Sequence, residues 1–314
     1  MSTSNGSTSN VVACLGGGLI GRSWAALFLA AGKEVRIYDV DPASEARIKE
    51  TIESSWPVLK ALGLTSSDTP STKWNFCSDP KEAVKGASFI QESIPERIEL
   101  KRELYAAIEP ELSVDAIVAS SASGLTLSEL QSGWKYPARF VLGHPFNPPH
   151  LIPLVEVMGN EKTASGVVAE ARAFYESVGK VVIEVKREVP GHVANRLQAA
   201  LWREAIHLVN EGVASVKDVD IAVSSGPGLR WAVMGPTSLF HLGGDIGGLQ
   251  DFCNRYSVSF NRWWDDLGTP RLDEATIANL VAGFNASNTE SFADMAKKRD
   301  ALLAEVVAAT HKSK

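Results

Sequence analysis

Apolar positions along this chain fall into two regimes. Up to about residue 189, short apolar runs recur at Val11–Leu15, Glu34–Val40, Asn75–Cys77, Ala87–Gln91, Ala116–Ser120, Phe140–Gly143, Leu154–Val157 and Val181–Val185. Several are continuous rather than alternating, which suits strands covered on both faces. Helical patterns fill most of the gaps, and repeated strand–helix–strand order predicts a parallel, doubly wound α/β sheet. Pro42–Leu62 has helical character and exceeds a minimal crossover; with the polar stretch to Lys73 it is expected to project as a helical hairpin. From His192 to the end the periodicity is helical, and Leu197, Ala200, Leu201, Ile206, Leu208 and Val209 form a broad apolar face. Pro190–Gly191 reads as a hinge. The expected organisation is a disordered tail (1–10), an α/β domain (11–189) and an all-helical domain (190–314).

Composition narrows the function classes. A chain of 314 residues with 45% apolar and 22% charged residues can bury the cores of two domains. A formal net charge of −6 and the lack of a Lys/Arg cluster argue against a nucleic-acid partner. The opening "MSTSNGSTSN" has no basic region of a signal peptide, and glycines with Arg22 interrupt the apolar stretch Val11–Ala31. No membrane partner and a cytoplasmic location are therefore expected. Cys14, Cys77 and Cys253 are far apart and form neither a disulfide framework nor a metal site, so buried thiols are expected. A helical second domain makes a homodimer a fair expectation.

"VVACLGGGLIGRSW" carries G-x-G-x-x-G at Gly16, Gly18 and Gly21, after a strand and at the start of a helix. Gly16 permits a tight turn, Gly18 lets the backbone approach a pyrophosphate, and Gly21 lets helix and strand pack closely. With Leu19 and Ile20, these residues form a candidate dinucleotide site at a helix N-terminus. The next strand ends in Asp39, whose carboxylate can accept the adenosine ribose hydroxyls and would repel a 2′-phosphate; the expected cofactor is NAD.

"LGHPFNPPHLIPLVEV" places His144 at the end of a strand, before a proline-stiffened loop, with Glu156 alone in the apolar strand that returns. A residue before proline is extended, and a glutamate among apolar neighbours needs a partner. His144 oriented by Glu156 can take a proton from an alcohol as hydride leaves the same carbon. A structural ion pair between strands is the competing reading. His150, in the same loop, is expected to be exposed or structural.

"GHPFNPPHLIPLVEV", "VPGHVANRL" and "GGGLIG" together resemble the 3-hydroxyacyl-CoA dehydrogenase superfamily. Within it, the chain is similar to the lambda-crystallin and L-gulonate 3-dehydrogenase branch, with carnitine dehydrogenases nearby. The resemblance implies a Rossmann-type domain followed by a helical one. It makes His144 the general base, Glu156 its partner, and Ser123 and Asn195 the holders of the substrate oxygen. It places Glu96 and Lys101 near the nicotinamide ribose. Arg230 and Trp231 are shared with the gulonate and carnitine branch, not with the acyl-CoA enzymes. They imply that Arg230 grips a free carboxylate and that Trp231 can face a quaternary ammonium. The implied activity is NAD-dependent oxidation of a small free 3-hydroxy acid, with L-gulonate foremost. Carnitine, acyl thioesters or a biosynthetic ketone are alternatives, as is a non-catalytic, crystallin-like dinucleotide-binding protein.

Overall fold

The computed structural model describes residues 9–311, so most of the expected tail lies outside the described residues. The chain divides into two compact units, Met1–Val193 and Ala194–Lys314. In the first unit the elements run β1 (Val11–Leu15), α1 (Leu19–Ala30), β2 (Glu34–Tyr38), α2 (Ser44–Ala61), β3 (Trp74–Cys77), α3 (Pro80–Val84) and β4 (Phe89–Glu92). Then come α4 (Ile98–Ile108), β5 (Ile117–Ser120), α5 (Leu127–Gln131), β6 (Phe140–Pro145), β7 (Leu154–Met158), α6 (Val167–Ser177) and β8 (Val181–Glu184). The strands form one eight-stranded sheet in the order β3-β2-β1-β4-β5-β6-β7-β8.

The sheet is parallel from β3 to β6, as the crossovers require, but β7 runs antiparallel to β6 and β8 pairs parallel with β7. The wholly parallel expectation is corrected there. The loop between β6 and β7 holds no helix, so the chain simply turns back on itself. Side chains alternate faces. Val12 and Cys14 of β1 join a core with Trp24 and Phe28 of α1 and Tyr175 of α6. Ala13 and Leu15 join the opposite core with Tyr105 and Ile108 of α4. The segment expected to project does not do so. Ile48, Ile52, Trp56 and Leu59 of α2 are buried in the first core, and no helix lies between α2 and β3. An apolar stripe at helical spacing has to be covered, and here the α1 side of the sheet covers it.

The second unit comprises α7 (Ala194–Asn210), α8 (Val216–Ser225), α9 (Pro227–Val233), α10 (Pro236–Gly243), α11 (Gly248–Asp266), α12 (Glu274–Ser287) and α13 (Phe292–His311). Among the described residues it has no strand. Phe240 of α10 stacks on Phe252 of α11, which meets Phe260 at a tilt, and Phe260 meets Trp263 edge to face. Much of its apolar surface is open: Trp202, Val258, Trp263 and Trp264 are exposed. Of the expected face on α7, Ile206 is buried while Leu197 and Leu201 are exposed. Cys14 and Cys77 are buried as free thiols, but Cys253 on α11 is exposed, against expectation. No helix among the described residues is long and apolar enough to cross a membrane.

Candidate active site

Strand order reverses around β1, which lies between β2 and β4. A ligand crevice is expected beyond the strand ends at such a point. A cleft of about 620 Å³ lies there, lined by Gly16, Gly18, Leu19, Ile20, Asp39 and Ser93 among others. Gly16 has φ +102°, and a Cβ on it would come within 2.8 Å of the Ser93 carbonyl group. A Cβ on Gly21 would collide with the Gly16 carbonyl oxygen, so strand and helix can approach this closely only through glycine. Gly18 has open space instead, and the α1 N-terminus beside it has no side-chain cap. Asp39 at the end of β2 accepts from the Gly17 amide (2.5 Å) and the Asp41 amide (2.8 Å), which holds its carboxylate at the cleft. Free helix N–H groups, an open approach at Gly18 and a rim carboxylate fit a dinucleotide: the helix end for pyrophosphate, Asp39 for ribose hydroxyls.

Strand register sets the second constellation. His144 of β6 stands directly opposite Glu156 of the antiparallel β7. The imidazole Nδ1 is 2.8 Å from Glu156 Oε2, and the carboxylate is fully buried. A carboxylate only accepts, so Nδ1 carries the hydrogen and Nε2 presents a lone pair. Oε1 of Glu156 accepts from the Val193 amide at 2.9 Å, fixing the carboxylate plane.

The other expected residues divide. Ser123 and Glu96 meet: Glu96 Oε1 accepts from the Ser123 hydroxyl (2.9 Å) and also from the Ser123 amide, and the Gly124 amide adds a bond at 3.1 Å. Burial raises the Glu96 pKa, but these donors outweigh it and hold the carboxyl below its ordinary value. Lys101 is 1% exposed, its Nζ 2.5 Å from Glu92 Oε1 and 3.1 Å from the carbonyl of Ile94, a residue that lines the cleft. Its long stem reaches a buried acid, and a buried charge requires such a partner. Asn195 lies in the first turn of α7, and Arg230 and Trp231 are exposed on α9, all in the second unit.

Three groups escaped the sequence reading. Glu92 also accepts from Tyr105 (2.7 Å) and Ser120 (2.7 Å), closing a buried network under the Ser93–Pro95 turn of the cleft. Four polar side chains spread over strands and a helix give no sequence signal of meeting. His192 is buried beside His144, with ring centroids 5.1 Å apart. Lys180 lies under the β6–β7 loop, donating to the Pro149 and Ile152 carbonyls with its ammonium 4.9 Å from the Trp24 ring. His150, of the same loop, is structural: its Nδ1 and backbone amide both meet the Ser23 hydroxyl on α1 (2.8 and 2.9 Å).

Residues 11–189 match the 3-hydroxyacyl-CoA dehydrogenase NAD binding domain, and residues 191–275 match the C-terminal domain of that family. The chain is 45% identical to an L-carnitine dehydrogenase of Streptomyces coelicolor, over 95% of this chain and 94% of the relative. It is 40% identical to an L-carnitine dehydrogenase of Pseudomonas aeruginosa, over 96% and 94%. Among solved structures it is similar to 5-formyl-3-hydroxy-2-methylpyridine 4-carboxylic acid 5-dehydrogenase, an NAD+-dependent dismutase. That likeness has a TM-score of 0.82 at 33% identity and covers 96% of this chain and 97% of the other. With the glycine cradle, the rim carboxylate and the His–Glu pair in place, the chain belongs to the 3-hydroxyacyl-CoA dehydrogenase family and is an NAD-dependent dehydrogenase.

Proposed function

We propose that the protein oxidises the 3-hydroxyl of a small free acid of the carnitine class to the 3-keto acid. The observation that carries the chemistry is the 2.8 Å His144–Glu156 bond, which leaves Nε2 as the free base. The named relatives favour carnitine over the gulonate suggested by the branch resemblance. Bound NAD supplies the hydride acceptor. His144 Nε2 takes the hydroxyl proton, and Glu156 stabilises the imidazolium that results. In this reading the Ser123 hydroxyl and Asn195 orient the reacting oxygen, and Glu96 holds the Ser123–Gly124 turn. Arg230 binds the carboxylate and Trp231 faces the trimethylammonium group. The open apolar surface of the second unit supports a homodimer, and the unpaired cysteines support a cytoplasmic setting. NADH formation from L-carnitine, L-gulonate and a 3-hydroxyacyl-CoA tests the assignment. Turnover of carnitine is expected to exceed that of the other two. Preference for gulonate or the thioester overturns the substrate class, and NAD binding without turnover of any overturns the enzymatic reading.

A further inference from the structure

His192 joins three parts of the site that are distant in sequence. Its Nε2 lies 3.3 Å from the carbonyl of Ala122, the residue before Ser123. Its ring packs against that of His144, tilted by 54°. Its backbone has φ 50°, a left-handed conformation unusual for a residue with a side chain, and its amide donates to the Val189 carbonyl at 3.1 Å. That bend presents the next amide, Val193, to Glu156. A carbonyl only accepts, so Nε2 carries the hydrogen; a neutral ring then leaves Nδ1 bare, and Nδ1 is buried with no hydrogen-bond partner. A strained backbone and an unsatisfied buried nitrogen both cost stability, and ordinary core packing does not require either.

The geometry points to His192 as a positioning residue of the reaction. It holds the Ser123 turn, the His144 ring and the Glu156 carboxylate in one fixed arrangement, and it remains uncharged while His144 gains and loses its proton. This rests on the dehydrogenase chemistry proposed above. The ionisable groups facing the ring are His144, Glu156 and Glu96. Burial is the largest influence and lowers its pKa; the bond to the Ala122 carbonyl and the charges of Glu156 and Glu96 offset part of that, His144 lowers it further, and the net shift is downward. Glu156 bonds the His144 ring directly at 2.8 Å, which favours the arriving proton there and leaves the clamp on Ala122 undisturbed by charge.

Two variants separate the hydrogen bond from packing. His192→Phe fills the ring volume without a donor, and His192→Gln keeps an N–H where Nε2 stands. The Phe variant is expected to lose about tenfold or more in kcat with NAD affinity unchanged. The Gln variant is expected to recover most of that loss. Full activity in the Phe variant, or equal loss in both, overturns the proposal. A second measurement needs no turnover. Nitrogen-15 spectra of the histidines in the intact ligand-free protein are expected to show His192 neutral, with hydrogen on Nε2, from pH 6 to 8. A charged ring or the opposite tautomer overturns it. Absence of turnover by the wild type counts against the proposed function, while the spectra still decide on His192.

Discussion

A single hydrogen bond, from His144 Nδ1 to the Glu156 carboxylate, orders the chemistry at the residue scale. His144→Ala is expected to reduce turnover by at least about a thousandfold, because it removes the base whose protonated form Glu156 stabilises. NAD affinity should change by less than about twofold, since the pyrophosphate cradle is built on β1 and α1; calorimetric titration with NAD checks this. Glu156→Gln retains size but not charge. It should leave NAD binding intact and lower kcat by about a hundredfold or more, because the imidazolium loses its counter-charge and Nδ1–H its fixed acceptor. Retention of wild-type kcat in either variant removes the base assignment. The partnership of these two residues was legible in the sequence because proline fixes the direction of His144 and the apolar strand isolates Glu156. The third member, His192, was not legible. Its role depends on a left-handed turn that brings "VPGHV" against "SSASG", and no local pattern records an approach between segments seventy residues apart.

At the element scale, β1, β5 and β6 were readable because they are buried on both faces and so largely apolar, and β2 because its buried positions alternate with more accessible ones. The reversal of β7 was not, since a buried antiparallel strand has the same composition as a parallel one. Gly21 shows how closely α1 depends on its start. Gly21→Ala is expected to lower stability by about 1–3 kcal/mol and to weaken NAD binding, since the added methyl meets the Gly16 carbonyl. A melting curve in the presence and absence of NAD checks both effects. The β6–β7 loop is held from below by Lys180, whose pKa burial brings down to about 7. Between that value and the ordinary lysine value the unfolded chain binds more protons than the folded one, so this group's contribution to stability rises with pH across that window. Below pH 7 both states carry the charge, and the contribution is flat. The melting temperature of the wild type relative to Lys180→Met is therefore expected to climb from pH 7 to 9.5. A difference independent of pH refutes the assignment.

At the scale of the whole molecule, the two regimes of apolar patterning anticipated a sheet unit and a helical unit. The fate of the helical unit's apolar surface was less legible, because amphipathic periodicity shows that a face will be covered and not what covers it. Trp202, Trp263 and Trp264 remain exposed in the single chain. Light scattering is expected to give a dimer mass at micromolar concentration, and Trp264→Glu is expected to shift it towards the monomer. A wild-type monomer at that concentration rules out the homodimer. Lys101 makes a related point: the resemblance placed it near the nicotinamide ribose, and its ammonium pairs with Glu92 in a buried network, an ion pair that offsets the cost of desolvation and that no local pattern records.

The facing of His144 and Glu156 across β6 and β7 has a consequence for how such an enzyme diversifies. Because their apposition is written in the ladder of main-chain bonds, residues may be added to or removed from the connecting loop while the acid–base couple stays matched. A slip of one position in β7 would instead turn the glutamate to the opposite side of the sheet and extinguish the couple at once. Descendants of this scaffold are thus free to trade one alcohol for another by remodelling loops and the helical unit, while inheriting the proton-transfer step unaltered.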